Sequence, residues 1–410
     1  MNRPKLLFYC PFDLSDDGGV PFLLTHAVDL LKEKCQIVLL LTSRPNWDVV
    51  NSKYQSHLSE DDMRVVIVKP ATRWLKLLRL CFNCYAPDPE LRPEALVSDL
   101  CVSFVNLGYF GKPAIHFVVD VYILNTIGIK GPRYTLWTPS QQSLKESVLI
   151  RARKFLELIK HLLYVVFGYR KRLRKALTKN GDRIVANSRW IASFFEKEKF
   201  PVDFLYPPVV AEFSHVPLTQ RSADFVCIGR ISGQKRIETM IEILAEVRRR
   251  SGRELQFHII GYLTERPYSG YIRELAGRHP WVKLEGPRFG KEKERLLTGC
   301  RYAIHACEFE AFGISVAEYL KAGCVPFVPS EGGGAEIVGR SELCYKDFED
   351  AVEKILNFLE RDDAQQAEVQ TQMLERGNLF TLKNFDENLM AFFEEELAKR
   401  GFPGMLRDGE

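Results

Sequence analysis

Three short segments hold residue types suited to binding anions and hydroxyl groups. The first, Gly229-Arg230-Ile231-Ser232-Gly233-Gln234-Lys235-Arg236, follows an apolar run and precedes a helical pattern. Its glycines permit a tight loop and a close backbone approach. Arg230 offers a planar fork and Lys235 a point charge, a combination that suits a diphosphate. A basic loop on a solvated helix end would use the same residues. The Gly-Lys-Ser/Thr ending of a Walker loop is absent. In the second, Glu308-Phe309-Glu310-Ala311-Phe312-Gly313-Ile314-Ser315-Val316-Ala317-Glu318, seven residues separate Glu310 from Glu318. A helix starting near Phe312–Ser315 would aim free N–H groups at an anion, and the carboxylates could accept hydrogen bonds from sugar hydroxyls. Ser315-x-x-Glu318 also has the form of a capping box, in which Glu318 serves only the backbone. The third, Ser330-Glu331-Gly332-Gly333-Gly334-Ala335-Glu336, fits either a close-approaching backbone or a plain surface turn.

Each segment follows a predicted strand. Strands are expected at Lys5–Cys10, Gln36–Thr42, Arg64–Lys69, Asp99–Val105, Ala114–Val119 and Arg183–Ala186. After a proline-containing linker, Phe204–Ser214, the alternation restarts at Phe225–Ile228, Gln256–Ile260, Val282–Leu284, Tyr302–Ala306 and Val325–Val328. Helical patterns lie between them, clearest over Arg236–Arg250, where Ile237, Met240, Ile241, Leu244 and Val247 share a face. Further helices are expected over Phe348–Arg361 and Asn384–Arg400. Continuous apolar strands alternating with helices predict parallel sheets covered on both faces, and ligands in such sheets bind beyond the carboxyl ends of the strands. A length of 410 residues allows two such domains. The hydrophobic fraction of 46% is that of a globular chain, and a net charge of +4 gives no case for a nucleic-acid partner. The ten cysteines have irregular spacings, and Cys81-x-x-Cys84 lacks a second pair to complete a zinc site. Buried or surface thiols in a reducing cytosol fit them best.

Taken together, the three motifs in this order resemble glycosyltransferase family 4, with specific matches across 224–338. That family shows Gly-Arg with a downstream Lys, then Glu-x7-Glu enclosing Phe-Gly, then a glycine pair before Glu. The resemblance implies the GT-B fold: two Rossmann-like, doubly wound parallel-sheet lobes facing a cleft. The expected boundaries are 1–206 for an acceptor-binding lobe, completed by a C-terminal helix in 384–410, and 207–383 for a nucleotide-sugar-binding lobe. It also implies roles. Arg230 and Lys235 would hold the donor diphosphate as leaving group, with Gly229 allowing its approach. Glu310 would bind the donor sugar, backbone N–H groups around Phe312, Gly313 and Ile314 the sugar and phosphate, and Glu318 the ribose. Pro287 and Arg288 would border the nucleobase. In the first lobe, Gly18 and Gly19 would face the diphosphate and His116 would contact the donor; a buried structural histidine is the alternative. The implied reaction is retaining and metal-independent, with no cofactor, and no Asp-x-Asp metal motif is present.

The acceptor side is signalled by charge. Residues 145–183 carry twelve Lys/Arg against Glu146, Glu157 and Asp182, interleaved with aliphatic and aromatic residues, and 73–80 repeats the theme. Such stretches suit an anionic membrane surface, or core helices with a solvated basic face. A weaker resemblance, through Asn187-Ser188-Arg189-Trp190 and Leu205-Tyr206-Pro207-Pro208, is to enzymes that mannosylate lipid-linked oligosaccharides. The sequence lacks a signal-peptide pattern at its start and any apolar run of about 18–20 residues. The expectation is a cytoplasmic enzyme, peripheral on a membrane face, moving a hexose from a UDP- or GDP-sugar to a glycan or lipid-linked acceptor. The competing readings are a catalytically silent binding partner and another GT-B enzyme, a phosphorylase or epimerase.

Overall fold

The structure is a computed structural model that describes residues 3–15, 19–68, 91–104, 110–121, 124, 129, 181–264 and 267–406. Gly18, Cys81, Cys84 and the basic segments 73–80 and 145–180 lie outside the described residues. Two compact units divide the chain. Among the described residues, unit 1 takes those up to 129 together with 181–207 and 385–406, and unit 2 takes 208–384.

Unit 1 is built on a seven-stranded parallel sheet in the order β3-β2-β1-β4-β5-β6-β7. Its strands are β1 (Lys5–Cys10), β2 (Gln36–Leu41), β3 (Met63–Ile67), β4 (Leu100–Phe104), β5 (Ala114–Val118), β6 (Arg183–Ala186) and β7 (Val202–Phe204). Helices α1 (Gly19–Leu31), α2 (Trp47–Tyr54), α3 (Arg92–Leu96) and α4 (Arg189–Lys197) connect them. Every residue of β4 and β5 is buried, as a sheet covered on both faces requires. Helix α1 buries Phe22, Leu23, Ala27 and Leu31 and carries Pro21 in its first turn, where a missing N–H leaves nothing unsatisfied. The short β7 has no counterpart among the expected strands and ends at Phe204, where the expected linker begins. Strand order reverses between β1 and β4, so the carboxyl end of β1 sits at the switch point, where ligands of such sheets bind.

Unit 2 has a six-stranded parallel sheet in the order β10-β9-β8-β11-β12-β13. The strands are β8 (Ser222–Ile228), β9 (Phe257–Ile260), β10 (Val282–Gly286), β11 (Cys300–Ile304), β12 (Val325–Pro329) and β13 (Cys344–Tyr345). Its helices are α5 (Ile237–Ser251), α6 (Tyr268–Gly277), α7 (Gly290–Gly299), α8 (Ile314–Lys321), α9 (Gly333–Val338), α10 (Phe348–Leu359) and α11 (Asp363–Gly377). A last helix, α12 (Leu382–Ala398), belongs to unit 1 from Phe385 onward. The switch point here lies between β8 and β11. Helix α11 escapes the apolar pattern because its buried face uses glutamines. Gln366 accepts a 2.6 Å hydrogen bond from Tyr302 Oη, and Gln370 donates to the Gly323 carbonyl at 3.0 Å.

Arg183 closes the basic stretch expected to face a membrane, yet it points into unit 1. It is bound by Asp203 at 2.5 Å, by Glu395 at 3.0 Å and by Glu396, and its guanidinium lies 4.8 Å from the Phe392 ring. Asp203 first, then the two glutamates, hold it above even the ordinary arginine range against the effect of burial. Its charge is therefore spent on anchoring α12. The eight described cysteines are buried free thiols, in keeping with core packing. No helix among the described residues is long and apolar enough to cross a membrane.

Candidate active site

All three motifs emerge at the carboxyl edge of the unit 2 sheet, beside its switch point. The Gly229-Arg230 turn leaves β8 with Gly229 at φ 147°, a backbone state that excludes a side chain. Its N–H bonds to the Ile260 carbonyl at 3.0 Å, and Ile231 N–H reaches Tyr262 O at 2.8 Å. A Cβ on Gly261 would lie 1.8 Å from the Gly229 carbonyl oxygen. Gly261 thus makes the turn possible, and a single glycine after a strand gave no signal of it. Arg230 is exposed at this turn. The chain then makes a short helical turn, Gly233–Lys235, and Arg236 takes a left-handed φ of 50° before α5 starts. No side chain of the cap residue serves α5. Tyr268 Oη does so instead, accepting from Ile237 N–H at 2.8 Å and donating to buried Glu238 at 2.5 Å.

Lys235 and Glu310, from opposite sides of the switch point, meet. Lys235 Nζ lies 2.5 Å from Glu310 Oε2, with side chains 19% and 21% exposed. Arg236 pairs with Glu308 beside them. Burial works against charge on both members of the central pair. The Glu310 carboxylate outweighs it and holds Lys235 above its ordinary range. In turn the Lys235 ammonium, aided by His305, holds Glu310 well below the usual carboxylate range. His305 Nε2 is 3.3 Å from Glu310 Oε2, out of line for a good hydrogen bond. Burial, against the pull of Glu310, keeps its ring below the ordinary histidine range. Phe309, next to Glu310, is left-handed at φ 59°, as Arg236 is next to Lys235. Such strain costs of order 1–3 kcal/mol each and gathers where surroundings fix a functional geometry.

Helix α8 begins at Ile314 behind Gly313, whose φ is 103° and which provides no side-chain cap. The first N–H groups of the helix therefore remain available to an anion. Ser315 lies inside the helix, so the capping box suggested by Ser315-x-x-Glu318 does not form. Glu318 instead pairs with Lys293 of α7 at 2.6 Å. Tyr319, fully buried, accepts from Ile228 N–H at 2.8 Å and fastens α8 to the end of β8. Phe312 is buried, with its ring 5.6 Å from that of Phe380.

The glycine run is no plain surface turn. Gly333 N–H donates to the Glu310 carbonyl at 2.7 Å. A Cβ on Gly333 would come within 2.6 Å of the Ala311 carbonyl oxygen and of Phe312 Cα and O. Backbone packed this closely fixes the loop that carries Glu310. Pro287 is exposed after β10, and Arg288 lies 3.3 Å from Glu292. Beside them stands an aromatic pair that the sequence reading did not single out: Tyr262 and Phe289, 43% and 65% exposed, with ring centroids 6.1 Å apart.

His305, Cys307 and Glu310 bring donor atoms within 4.8 Å of one another, the one such grouping among the described residues. Lys235 already neutralises the carboxylate of that group, and burial pushes the Cys307 thiol far up, keeping it protonated. The cluster fits an ammonium better than a metal ion.

His116 is a buried residue of unit 1. It lies within β5, 1% exposed, with Nε2 3.4 Å from Asp182. Asp182 precedes β6, at the amino end of the strands, and the ring stacks on Phe110. The His116 ring therefore faces the amino edge of the sheet. Gly19 opens α1 at the unit 1 switch point, and its partner Gly18 lies outside the described residues.

Two doubly wound parallel units, the second with a loop site at the carboxyl edge of its sheet, define a GT-B-fold protein. Residues 212–377 match the family model described as glycosyl transferases group 1. That domain belongs to this family, and the chain is a glycosyltransferase. Solved structures of similar fold include HepE of Anabaena in complex with UDP and glucose, at 13% identity and TM-score 0.61, over 96% of this chain and 100% of that one. Another is the sucrose-phosphate synthase of Thermosynechococcus elongatus, at 12% identity and TM-score 0.64, over 97% and 100%. A third is WaaG, a glycosyltransferase involved in lipopolysaccharide biosynthesis, at 15% identity and TM-score 0.58, over 93% and 98%.

Proposed function

We propose that the protein is a family 4-type retaining hexosyltransferase that takes its sugar from a UDP- or GDP-sugar without a metal ion. The observation that carries this reading is the Lys235–Glu310 pair at the unit 2 switch point, beside the uncapped start of α8. Departure of a nucleoside diphosphate builds negative charge on phosphate oxygens. Preorganised cations and helix-end N–H groups stabilise that charge most in the transition state. Arg230, exposed on its glycine turn, and Lys235 would supply the cations, and Gly313 and Ile314 the N–H groups. These groups do the work for which other transferases recruit a divalent ion, hence the expectation of no metal and no cofactor. Glu310, ionised and held by Lys235, would accept hydrogen bonds from the donor sugar. An oxygen committed to an ammonium is a poor nucleophile, which favours front-face transfer over a double displacement. Pro287, Arg288 and the Tyr262–Phe289 pair would border the base. HepE, a neighbour in fold, was solved with UDP-glucose, which supports a nucleotide-sugar donor here.

For the acceptor we propose a glycan or lipid-linked saccharide of cell-surface synthesis, met by a cytoplasmic enzyme on an anionic membrane face. Support comes from the basic, aromatic-rich segments 73–80 and 145–180. A thermal-shift screen against UDP, GDP and their common sugar conjugates, with and without EDTA, tests the donor half. One nucleotide raising the melting temperature regardless of EDTA supports it; no shift at millimolar concentration overturns it.

A further inference from the structure

A cavity of about 900 Å³ lies at the amino edge of the unit 1 sheet, away from the carboxyl edge where ligands of such sheets usually bind. Asp99, Pro113, Asp182 and Pro201 line it, each just before a strand, β4, β5, β6 and β7 in turn. The end of α12 borders it with Glu396, and Lys399 and Arg400 follow. The carboxylates of this cavity are committed. Asp99 accepts from Lys5 N–H at 2.7 Å, and Asp182 from Ala114 N–H at 3.0 Å. Glu396 is held by Arg183, by Lys399 at 2.9 Å and by Arg400 at 2.7 Å. Two lining lysines are not committed in this way. Lys112 donates to the Ser98 carbonyl, a neutral acceptor, and the exposed Lys199 ammonium has no partner among the described residues. We infer that this cavity binds a phosphate monoester carried on a compact organic body, at a site separate from the donor site.

Size, charge and backbone agree on this. Cavities of about 300–1,000 Å³ take small molecules, and Pro113, Ile184, Phe200 and Pro201 offer an organic body an apolar wall. Two ammonium groups without a carboxylate match a phosphate monoester, which approaches a dianion near neutral pH. Lys199 also stands where a lysine is unfavourable. Helix α4 ends with Lys199 N–H bonded to the Glu196 carbonyl at 2.9 Å and Phe200 N–H to the Phe195 carbonyl at 3.0 Å, which leaves Lys199 left-handed at φ 59°. Such a cap favours glycine. A lysine there gives up stability and gains a charge over the cavity. Behind Asp182, His116 is 1% exposed and neither of its ring nitrogens is hydrogen-bonded. Buried polar groups are nearly always paired, so an unpaired one at this edge is a second sign of a bound group. Anchoring of α12 is the competing role of the charges here. It accounts for Arg183, Lys399 and Arg400, and it leaves Lys112 and Lys199 unexplained.

Two probes share this chemistry, and using both tells a soluble phosphate from a lipid headgroup. Titration calorimetry of the full chain uses glycerol 3-phosphate, with glycerol as control. Co-sedimentation uses phosphatidylcholine vesicles with and without phosphatidic acid. Binding of at least one phosphate probe is expected, and it should weaken about tenfold or more in Lys199→Gly and in Lys112→Met, the range of a lost charge-assisted hydrogen bond. Arg230→Ala, on the unit 2 loop, should bind that probe as the wild type does. Urea unfolding should find Lys199→Gly at least as stable as the wild type, because glycine suits the cap, so its lost affinity is not a lost fold. Affinity kept in both lysine variants, affinity lost in Arg230→Ala, a Lys199→Gly variant less stable than the wild type, or no binding of either probe at millimolar phosphate overturns the site.

Discussion

Replacing Lys235 by methionine removes the one ammonium in contact with Glu310 at 2.5 Å. Breaking a fully buried ion pair costs about 3–5 kcal/mol, because a charge is left without its partner. About a fifth of each side chain reaches solvent, so the loss expected here is about 2–3 kcal/mol. The pH dependence should change sign as well. In the wild type the Glu310 carboxyl is depressed. It therefore adds stability that is present above its unfolded value of about 4.3 and lost as pH falls through the folded value. Without Lys235, burial dominates and lifts that carboxyl, so the variant should lose stability as pH rises above about 4.3. Lys235→Met/Glu310→Gln leaves no charge unpaired and should recover most of the stability. Sugar transfer should not recover, because the cation at the leaving group is still missing, a deficit of about 10²–10³ in rate. Urea unfolding at pH 5 and 7, beside transfer assays, reads both. Unchanged stability in the single variant, or transfer restored in the double one, would refute the reasoning.

Other expectations follow from single contacts. Gly333→Ala places a Cβ within 2.6 Å of the backbone at Ala311 and Phe312 and should cost about 2 kcal/mol or more in denaturant unfolding, with donor binding impaired. Gly270→Ala, inside α6 with nothing within 4 Å of the new Cβ, should raise stability by about 0.5–1 kcal/mol in the same assay. His258 faces Asp224 at 3.9 Å and Glu285 at 2.8 Å, the latter a hydrogen bond. Asp224 and Glu285 hold its pKa above the ordinary value against burial. The stability this lends is full below about pH 6.5 and fades as pH rises through the folded value. His258→Gln should remove that slope, as unfolding curves between pH 6 and 8 would register.

The strand and helix order of both sheets was readable because parallel sheets bury continuous apolar runs and helices show a wider period. Elements that escaped lacked that contrast: β7 and β13 are very short, and α11 buries Gln366 and Gln370. Within the site, residue types and order were legible, and the partners were not. Nothing local ties Lys235 to Glu310 or Lys293 to Glu318, because the pairings arise only when the sheet brings the segments that follow β8, β10 and β11 to one edge. Gly261 is likewise invisible in sequence, since its reason is the Gly229 carbonyl on the adjacent strand. Ser315-x-x-Glu318 misled because Gly313 starts the helix two residues earlier than a capping box needs.

The central claim is that this edge of unit 2 activates a nucleotide-sugar, and release of nucleoside diphosphate tests it most directly. Labelled UDP- and GDP-sugars are incubated in EDTA with the wild type and with Glu310→Gln, and sugar release and transfer are followed alongside nucleotide binding. The account predicts turnover of one donor by the wild type, and a fall of about 10²-fold or more in the variant while the nucleotide still binds. Equal turnover by the two proteins, or turnover by the wild type that disappears in EDTA, would contradict it.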